Sequence, residues 1–228
     1  MIFPLWQRLW SYFFEVLLET TSSAFNPSLQ VFLNRGRVQL CTPNAIYSYG
    51  DLYDNFTKTF EQIDLSKLSG KRVLLLGLGL GSIPFMLERR FKLFFDYTAV
   101  EIDAEVVRLA EKYVLCGLES RVTTICGDAF AFINQQNEQF DLICMDVFSD
   151  DMVPNDANSS VFLQHLANTL APDGLLLFNR LSFHPEERAE TIHYFRDHFL
   201  PHFPNGTYID TESNYVLVSN KLALRSKP

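Results

Sequence analysis

The segment Lys71-Arg-Val-Leu-Leu-Leu-Gly-Leu-Gly-Leu-Gly-Ser82 constrains the fold of this chain more than any other. Val73–Leu76 is a short apolar run bounded by a charged residue and by glycine. Such a run reads as a strand covered on both faces. Gly77, Gly79 and Gly81 follow as a turn, and a helix starts at Ser82. Glycines let the backbone come close to a ligand, and the first N–H groups of a helix have no partner within it. A nucleotide-like ligand can bind at such a turn. A tight turn made only for packing uses glycine in the same way, so the turn alone leaves both readings open.

The pattern after Arg72 is strictly α/β. Strands are expected at 72–77, 96–101, 121–126, 140–146 and 174–179, and helices at 82–90, 104–116, 129–134, 159–170 and 185–199. Two further apolar stretches, 206–210 and 214–219, read as an antiparallel pair that closes the sheet. This alternation predicts an α/β fold with a doubly wound, mostly parallel, seven-stranded sheet. Ligands in such folds sit beyond the carboxyl ends of the strands. Candidate residues fall there in series: Gly77, Gly79 and Gly81, then Glu101, then Asp128, then Asp146. Glu101 lies about twenty residues past the turn, the distance for a carboxylate that accepts hydrogen bonds from a ribose diol.

Upstream, Phe3, Trp6, Trp10, Phe13 and Leu17 recur at helical spacing, so residues 3–19 are expected to form an amphipathic helix. Its apolar face is expected to dock on its own domain; a dimer contact and a peripheral membrane contact are the alternatives. Residues 28–50 alternate around Asn34-Arg-Gly36 and predict a β-hairpin extended to a short meander. Residues 51–63 look helical. The expected division is an N-terminal helix and meander over 1–50 and a Rossmann-like cofactor-binding domain over 51–228.

The length of 228 residues suits one α/β domain with a small appendage, and 47% hydrophobic residues suffice for a full core. A net charge of -8 disfavours binding to nucleic acid or to an anionic membrane and is compatible with a cationic substrate. Cys41, Cys116, Cys126 and Cys144 form no CxxC pair, and the five histidines form no HExxH. Reduced thiols and no metal site are expected. No stretch reads as a signal peptide or reaches transmembrane length, which points to the cytoplasm.

The series of strand-end residues, with an antiparallel final pair, resembles the class I S-adenosylmethionine-dependent methyltransferase fold. Within that fold the chain is most similar to the spermidine synthases, the polyamine aminopropyltransferases. The resemblance rests on Tyr49-Gly-Asp-Leu-Tyr53 after the meander, Gly127-Asp-Ala129, Phe140-Asp-Leu-Ile-Cys-Met-Asp146-Val-Phe-Ser149 and Ala171-Pro-Asp-Gly-Leu-Leu-Leu-Phe-Asn179. It implies a transferase that uses S-adenosylmethionine or its decarboxylated form, with aminopropyl transfer to a polyamine as one outcome. By position, Glu101 would hold the ribose hydroxyls, with Asp103 sharing that role or capping the next helix. Asp128 and Ala129 would face the adenine, and Asp128 can also cap the helix it begins. Asp146 would position and deprotonate the attacking amine, with Tyr53 closing the pocket. A homodimer is a further expectation.

Three segments depart from the family pattern. The usual Gly-Gly-Gly-Asp-Gly-Gly turn is interrupted by Leu78 and Leu80, and Leu80 replaces its Asp. The family's Asp-Ser-Ser-Asp becomes Asp146-Val-Phe-Ser149, with Asp150 or Asp151 as acids that could compensate. The gate segment is Tyr53-Asp54-Asn55, which lacks the family's Glu. A charged amine leaving water needs paired charges, so these departures weaken the polyamine reading and leave the nucleoside-sulfonium reading intact. The alternatives are a methyltransferase acting on a small molecule and a catalytically silent binding or dimerisation module. A nicotinamide dehydrogenase is disfavoured, because the turn is GxGxG and Asp128 and Asp146 would have no role.

Overall fold

The computed structural model describes residues 3–43, 46–147 and 159–225. It opens with helix α1, Leu5–Trp10, followed by strands β1 Val16–Thr21, β2 Leu29–Asn34, β3 Arg37–Cys41 and β4 Ile46–Ser48. These four strands pair antiparallel in sequence order. The β2–β3 hairpin turns at Arg35 and Gly36, with φ of 49° and 72°. Positive φ at both central residues is the geometry that matches the twist of the flanking strands.

The expected helix over 3–19 is corrected. Helix α1 ends at Trp10, and Val16–Thr21 is instead a strand paired with β2 from Val16↔Leu33 to Thr21↔Leu29. Val16, Thr20 and Thr21 are β-branched and favour extended backbone. The open edge of β2 supplies a hydrogen-bond ladder for them. The expected docking of the helix face is corrected as well. Trp6 is 60% exposed, Trp10 54%, Phe13 79% and Leu17 54%. Of the five residues of that face, Phe3 alone packs against the core.

The remaining elements follow the alternation read from the sequence. In order they are α2 Asp54–Gln62, β5 Arg72–Leu76, α3 Ser82–Arg89, β6 Asp96–Glu101, α4 Ala104–Tyr113, β7 Arg121–Cys126, α5 Ala129–Gln135 and β8 Phe140–Met145. Then come α6 Ser160–Thr169, β9 Leu170–Leu181 and α7 Pro185–Tyr194. A π-helical turn over Phe195–Phe199 leads to α8 Leu200–His202, and β10 Thr207–Asp210 and β11 Asn214–Val218 are the last strands among the described residues. The second sheet has seven strands in the order β10-β11-β9-β8-β5-β6-β7. Strands β9, β8, β5, β6 and β7 run parallel, and β11 runs antiparallel between β9 and β10.

Two buried clusters cover the two faces of this sheet. One joins Val73, Leu75, Leu142, Leu177 and Val216 to α2, α3 and α4, and it includes Leu29, Val31 and Leu40 of the smaller sheet. The other joins Leu74, Leu76, Ile143, Met145 and Phe178 to α5, α6 and α7. Strand β8 is buried at all six residues, as a strand covered on both faces requires. The smaller sheet is also tied to the large one by polar contacts. Glu19 on β1 accepts hydrogen bonds from Arg108 at 2.6 Å, Lys112 at 2.7 Å and Tyr113 at 2.7 Å, all on α4. These donors pull the Glu19 carboxyl down to about 2. The sheet order reverses at β5, which has β6 on one side and β8 on the other. The crevice outside that switch point is where a ligand binds in such folds.

Candidate active site at the switch point

Backbone geometry fixes the glycine turn. Gly77, Gly79 and Gly81 have φ of 88°, 53° and 84°. Gly77 N–H donates to the carbonyl of Val100 at 2.9 Å, and Asp146 N–H donates to that of Leu76 at 2.8 Å. The end of β5 is thereby held against both neighbours. A Cβ on Gly77 would collide with the carbonyl oxygen of Asp146, and one on Gly81 would sit 2.7 Å from Leu115 Cδ2. The turn therefore needs glycine for conformation and for close approach together. Leu78 and Leu80 are buried in the first-face core, with no exposed surface at Leu80. Ser82, the first residue of α3, lies 2.6 Å from Ser48 Oγ and accepts from Tyr49 N–H at 3.0 Å. That contact seats the end of the smaller sheet on the rim of the crevice.

Glu101 ends β6 and turns back over the glycine loop. Its Oε2 accepts from the N–H groups of Leu78 at 3.1 Å and Gly79 at 3.2 Å, and its Oε1 from Asp103 N–H at 3.2 Å. Burial raises its pKa, and those three backbone donors oppose the rise. A carboxylate has roughly four acceptor positions, so Glu101 keeps capacity for a further donor. Asp103 is committed elsewhere. It caps α4 through Glu105 N–H at 2.9 Å and accepts from Ser23 Oγ and from Asn26 Nδ2 at 2.9 Å. Of its two expected roles, the cap is realised. Asp128 likewise caps α5, accepting from Ala131 N–H at 2.7 Å through Oδ1, and the residue is exposed. Ala129 is buried in the second-face core. The neighbouring Gly127 has open ground, since a Cβ there would meet nothing within 4 Å.

Asp146 sits at the end of β8, half-buried, and gathers the opposite wall. Its Oδ1 accepts from Asn179 Nδ2 at 2.8 Å and from the Tyr53 hydroxyl at 3.2 Å. Burial pushes its pKa up to about 6, against the pull of Asn179 and Tyr53 and with a further push from the Glu101 charge. Burial, with the Asp146 charge beside it, holds the Tyr53 hydroxyl well above its ordinary range. The structure thus brings Asp146 and Tyr53, both expected site residues, within hydrogen-bond distance. Ser149, Asp150 and Asp151 lie outside the described residues, in the segment 148–158 between β8 and α6.

Sequence reasoning missed two residues here. Asn179 has no exposed surface, and its Oδ1 has no hydrogen-bond partner among the described residues. The available signal is a lone amide that follows the apolar run Leu175–Phe178 at a strand end. Ile102 is 44% exposed between Glu101 and Asp103. An exposed apolar side chain between two acids at a strand end offers a flat face to a ring. A cavity of about 480 Å³ opens between Leu170–Gly174 and His202–Asn205, at the other end of β9 from Asn179. It brings together no predicted site residue.

The sheet order, the glycine turn and the strand-end acids define a class I methyltransferase-like fold. Within it, the chain belongs to the spermine/spermidine synthase domain family, whose profile matches residues 61–210. A polyamine aminopropyltransferase of Vibrio vulnificus is 29% identical over 115 residues, 49% of this chain and 38% of that protein. A Drosophila melanogaster homologue of the eEF1A lysine and N-terminal methyltransferase is 29% identical over 131 residues, 54% of this chain and 19% of that protein. The chain thus spans well under half the length of these relatives. A spermidine synthase in complex with the transition-state analogue AdoDATO shares the fold, with a TM-score of 0.66 and 16% identity, over 89% of this chain and 72% of that one.

Proposed function

We propose that this chain is a spermidine synthase-like transferase that binds an adenosyl-sulfonium donor, decarboxylated S-adenosylmethionine, and directs an aminopropyl group to an amine acceptor. The observation that carries this reading is Asp146: a carboxyl raised by burial, held by Tyr53 and Asn179, at the switch point where the glycine turn and Glu101 converge. The residues present fit the donor. Glu101 retains an acceptor position for the ribose hydroxyls, Asp128 and Gly127 leave room and an acceptor for an adenine amine, and Ile102 offers an apolar face to its ring. When bound, the donor would supply an alkyl carbon activated by a sulfonium leaving group, which needs no acid. The protein's part is to take one proton and to hold the nucleophile. Asp146 takes the proton, because an ammonium has no lone pair with which to attack. Asn179 donates to Asp146 Oδ1 and so fixes the direction of the carboxylate that receives the amine. The test is product analysis with decarboxylated and ordinary S-adenosylmethionine against putrescine and longer polyamines. Transfer to none of these amines removes the aminopropyl assignment.

A second reading is methyl transfer. It is favoured by Leu80, which is fully buried where the family pattern has an acid, and by the partial likeness to a methyltransferase homologue. Transfer of methyl groups from S-adenosylmethionine with no aminopropyl product would establish it.

We further propose that the protein is a cytoplasmic homodimer without nucleic-acid partners. Four free cysteines, Cys41, Cys116, Cys126 and Cys144, suit a reducing compartment, and the net charge of -8 argues against a phosphate backbone. Among the described residues no helix is long and apolar enough to cross a membrane. The exposed face of Leu5, Trp6, Leu9, Trp10, Phe13 and Phe14 supports the dimer, since apolar patches of that size are seldom left in water. Light scattering tests it: a monomer mass at micromolar concentration rejects the dimer.

A further inference from the structure

The loop between β1 and β2 reaches the proposed donor side of the crevice through Asp103. Asp103 Oδ1 caps α4 through Glu105 N–H at 2.9 Å, and a cap needs no more than that. Its other oxygen, Oδ2, accepts from Ser23 Oγ and from Asn26 Nδ2 at 2.9 Å, both on the β1–β2 loop. Asp103 and Asn26 are buried, with 2% and 6% of their surface exposed. The loop is fixed in turn. Ser23 N–H donates to the Asn26 carbonyl at 2.8 Å, and Ser23 Oγ accepts from Asn26 N–H at 3.0 Å. Asn26 Oδ1 accepts from the Tyr47 hydroxyl on β4 at 3.1 Å. The carbonyl oxygen of the same Tyr47 stands over the glycine turn, 3.1 Å from the place of a Cβ on Gly79. Gly79 N–H donates to Glu101 Oε2, and Asp103 N–H to Glu101 Oε1, both at 3.2 Å. These contacts close a ring that runs Gly79, Glu101, Asp103, Asn26, Tyr47 and back to Gly79. Among the described residues, none of the ring's side-chain nitrogens and oxygens is buried without a partner. A buried polar network with every member satisfied is rigid.

We propose that Asn26 and Ser23 are positioning residues for the donor site: by clamping Asp103 they hold the Glu101 carboxylate over the glycine turn, in the direction a ribose diol requires. They act through Asp103 and do not touch the donor. The groups that face Glu101 are backbone N–H groups, and the clamp stands one step behind them. Without the clamp, Asp103 still caps α4 through Oδ1, but the turn from Glu101 to Asp103 loses its tie to the smaller sheet. The Asp103 N–H is then no longer fixed on Glu101 Oε1, and the carboxylate can swing away from the Leu78 and Gly79 amides. Ser23, Asn26 and Tyr47 all precede residue 61, where the match to the family profile begins. The smaller sheet is thus a wall of the donor site as well as an appendage to it. This inference rests on the proposal that Glu101 receives the ribose, and the experiment has one readout that needs no nucleoside.

The experiment compares the whole wild-type protein with Asn26→Ala, Ser23→Ala and Glu101→Ala, well below the melting temperature of each. The first readout is amide hydrogen exchange by NMR without ligand. In Asn26→Ala the Leu78 and Gly79 amides should exchange about fivefold faster or more relative to the amides of β8, the scale of one hydrogen bond. A general loss of stability would speed both sets alike. The second readout is titration calorimetry with 5′-methylthioadenosine and with its 2′-deoxy analogue. Asn26→Ala should weaken 5′-methylthioadenosine about fivefold or more and the deoxy analogue about twofold or less, because the loss falls on the diol contact. In a Glu101→Ala background, Asn26→Ala should add nothing, which separates action through Glu101 from a general structural role. Ser23→Ala should act in the same direction by less, and it carries both readouts if Asn26→Ala does not fold. Unchanged relative exchange and unchanged affinity in the folded variants would overturn the proposal. So would an equal loss for both nucleosides, or a loss that persists without the Glu101 side chain. A wild-type protein that binds neither nucleoside would count against the adenosyl reading, and the exchange ratio would then decide the clamp alone.

Discussion

The proposed donor side and the proposed acceptor side of the crevice are built by different means. On the donor side, the backbone carries the design. Three glycines at positive φ shape the turn, and Glu101 is held by three N–H groups of the loops around it. On the acceptor side, side chains carry it. Asp146 is set by Asn179 from β9 and by Tyr53 from the start of α2. A backbone device tolerates little change, because a Cβ on Gly77 or Gly81 meets its neighbours. A side-chain device can be rebuilt one residue at a time. The departures at Leu80 and Asn55 change side chains, and although Leu78 interrupts the family's glycine run, Gly77, Gly79 and Gly81 remain at the positive-φ positions.

The largest expected effect lies on the acceptor side. Asp146→Asn keeps the shape of the site and removes the base, so turnover should fall by about a hundredfold or more. Nucleoside affinity, measured by calorimetry, should change little. Near-full turnover in this variant would move the base elsewhere and erase the contrast. On the donor side, Glu101→Ala should weaken 5′-methylthioadenosine binding by about 1.5–3 kcal/mol, the scale of hydrogen bonds to a charged group. Unchanged affinity would mean that Glu101 serves the loop alone. Gly77→Ala puts a side chain at a φ of 88° against the Asp146 carbonyl. It should cost on the order of 1–3 kcal/mol in denaturant unfolding and lower activity as well, because the strained turn and Asp146 share that contact.

A smaller, graded effect is expected with pH. The Asp146 carboxyl is raised from an ordinary 3.8 to about 6, so the base form appears as pH rises through about 6. Below that value, kcat/KM should fall by about tenfold per pH unit. The stability sign is opposite. The folded state holds a proton between 3.8 and 6 that the unfolded chain releases, so this group's favourable contribution fades as pH rises through 6. Asp146→Asn should remove that slope from a pH series of melting temperatures.

Much of the fold was legible because its signals are local. Apolar runs bounded by turns placed the strands of the large sheet, and glycine spacing placed the turn between β5 and α3. Residues 3–19 were misread because Phe13 and Leu17 continue a helical spacing that the β2 edge overrides: Val16–Thr21 gains a ladder there. The strand-end acids were legible by position, but not their present partners. That Asp103 and Asp128 cap helices α4 and α5 follows from local backbone. That Asn179 donates to Asp146 does not, because the two residues, 33 positions apart, meet only through the pairing of β8 with β9.

The central claim is that the ends of β5, β6 and β7 form an adenosyl site. Titration calorimetry of the intact protein with 5′-methylthioadenosine, run beside Glu101→Ala, tests it most directly. Saturable one-site binding by the wild type, weakened about tenfold or more in the variant, is the predicted result. No heat with 5′-methylthioadenosine, and none with S-adenosylhomocysteine, from a folded wild-type protein would contradict it.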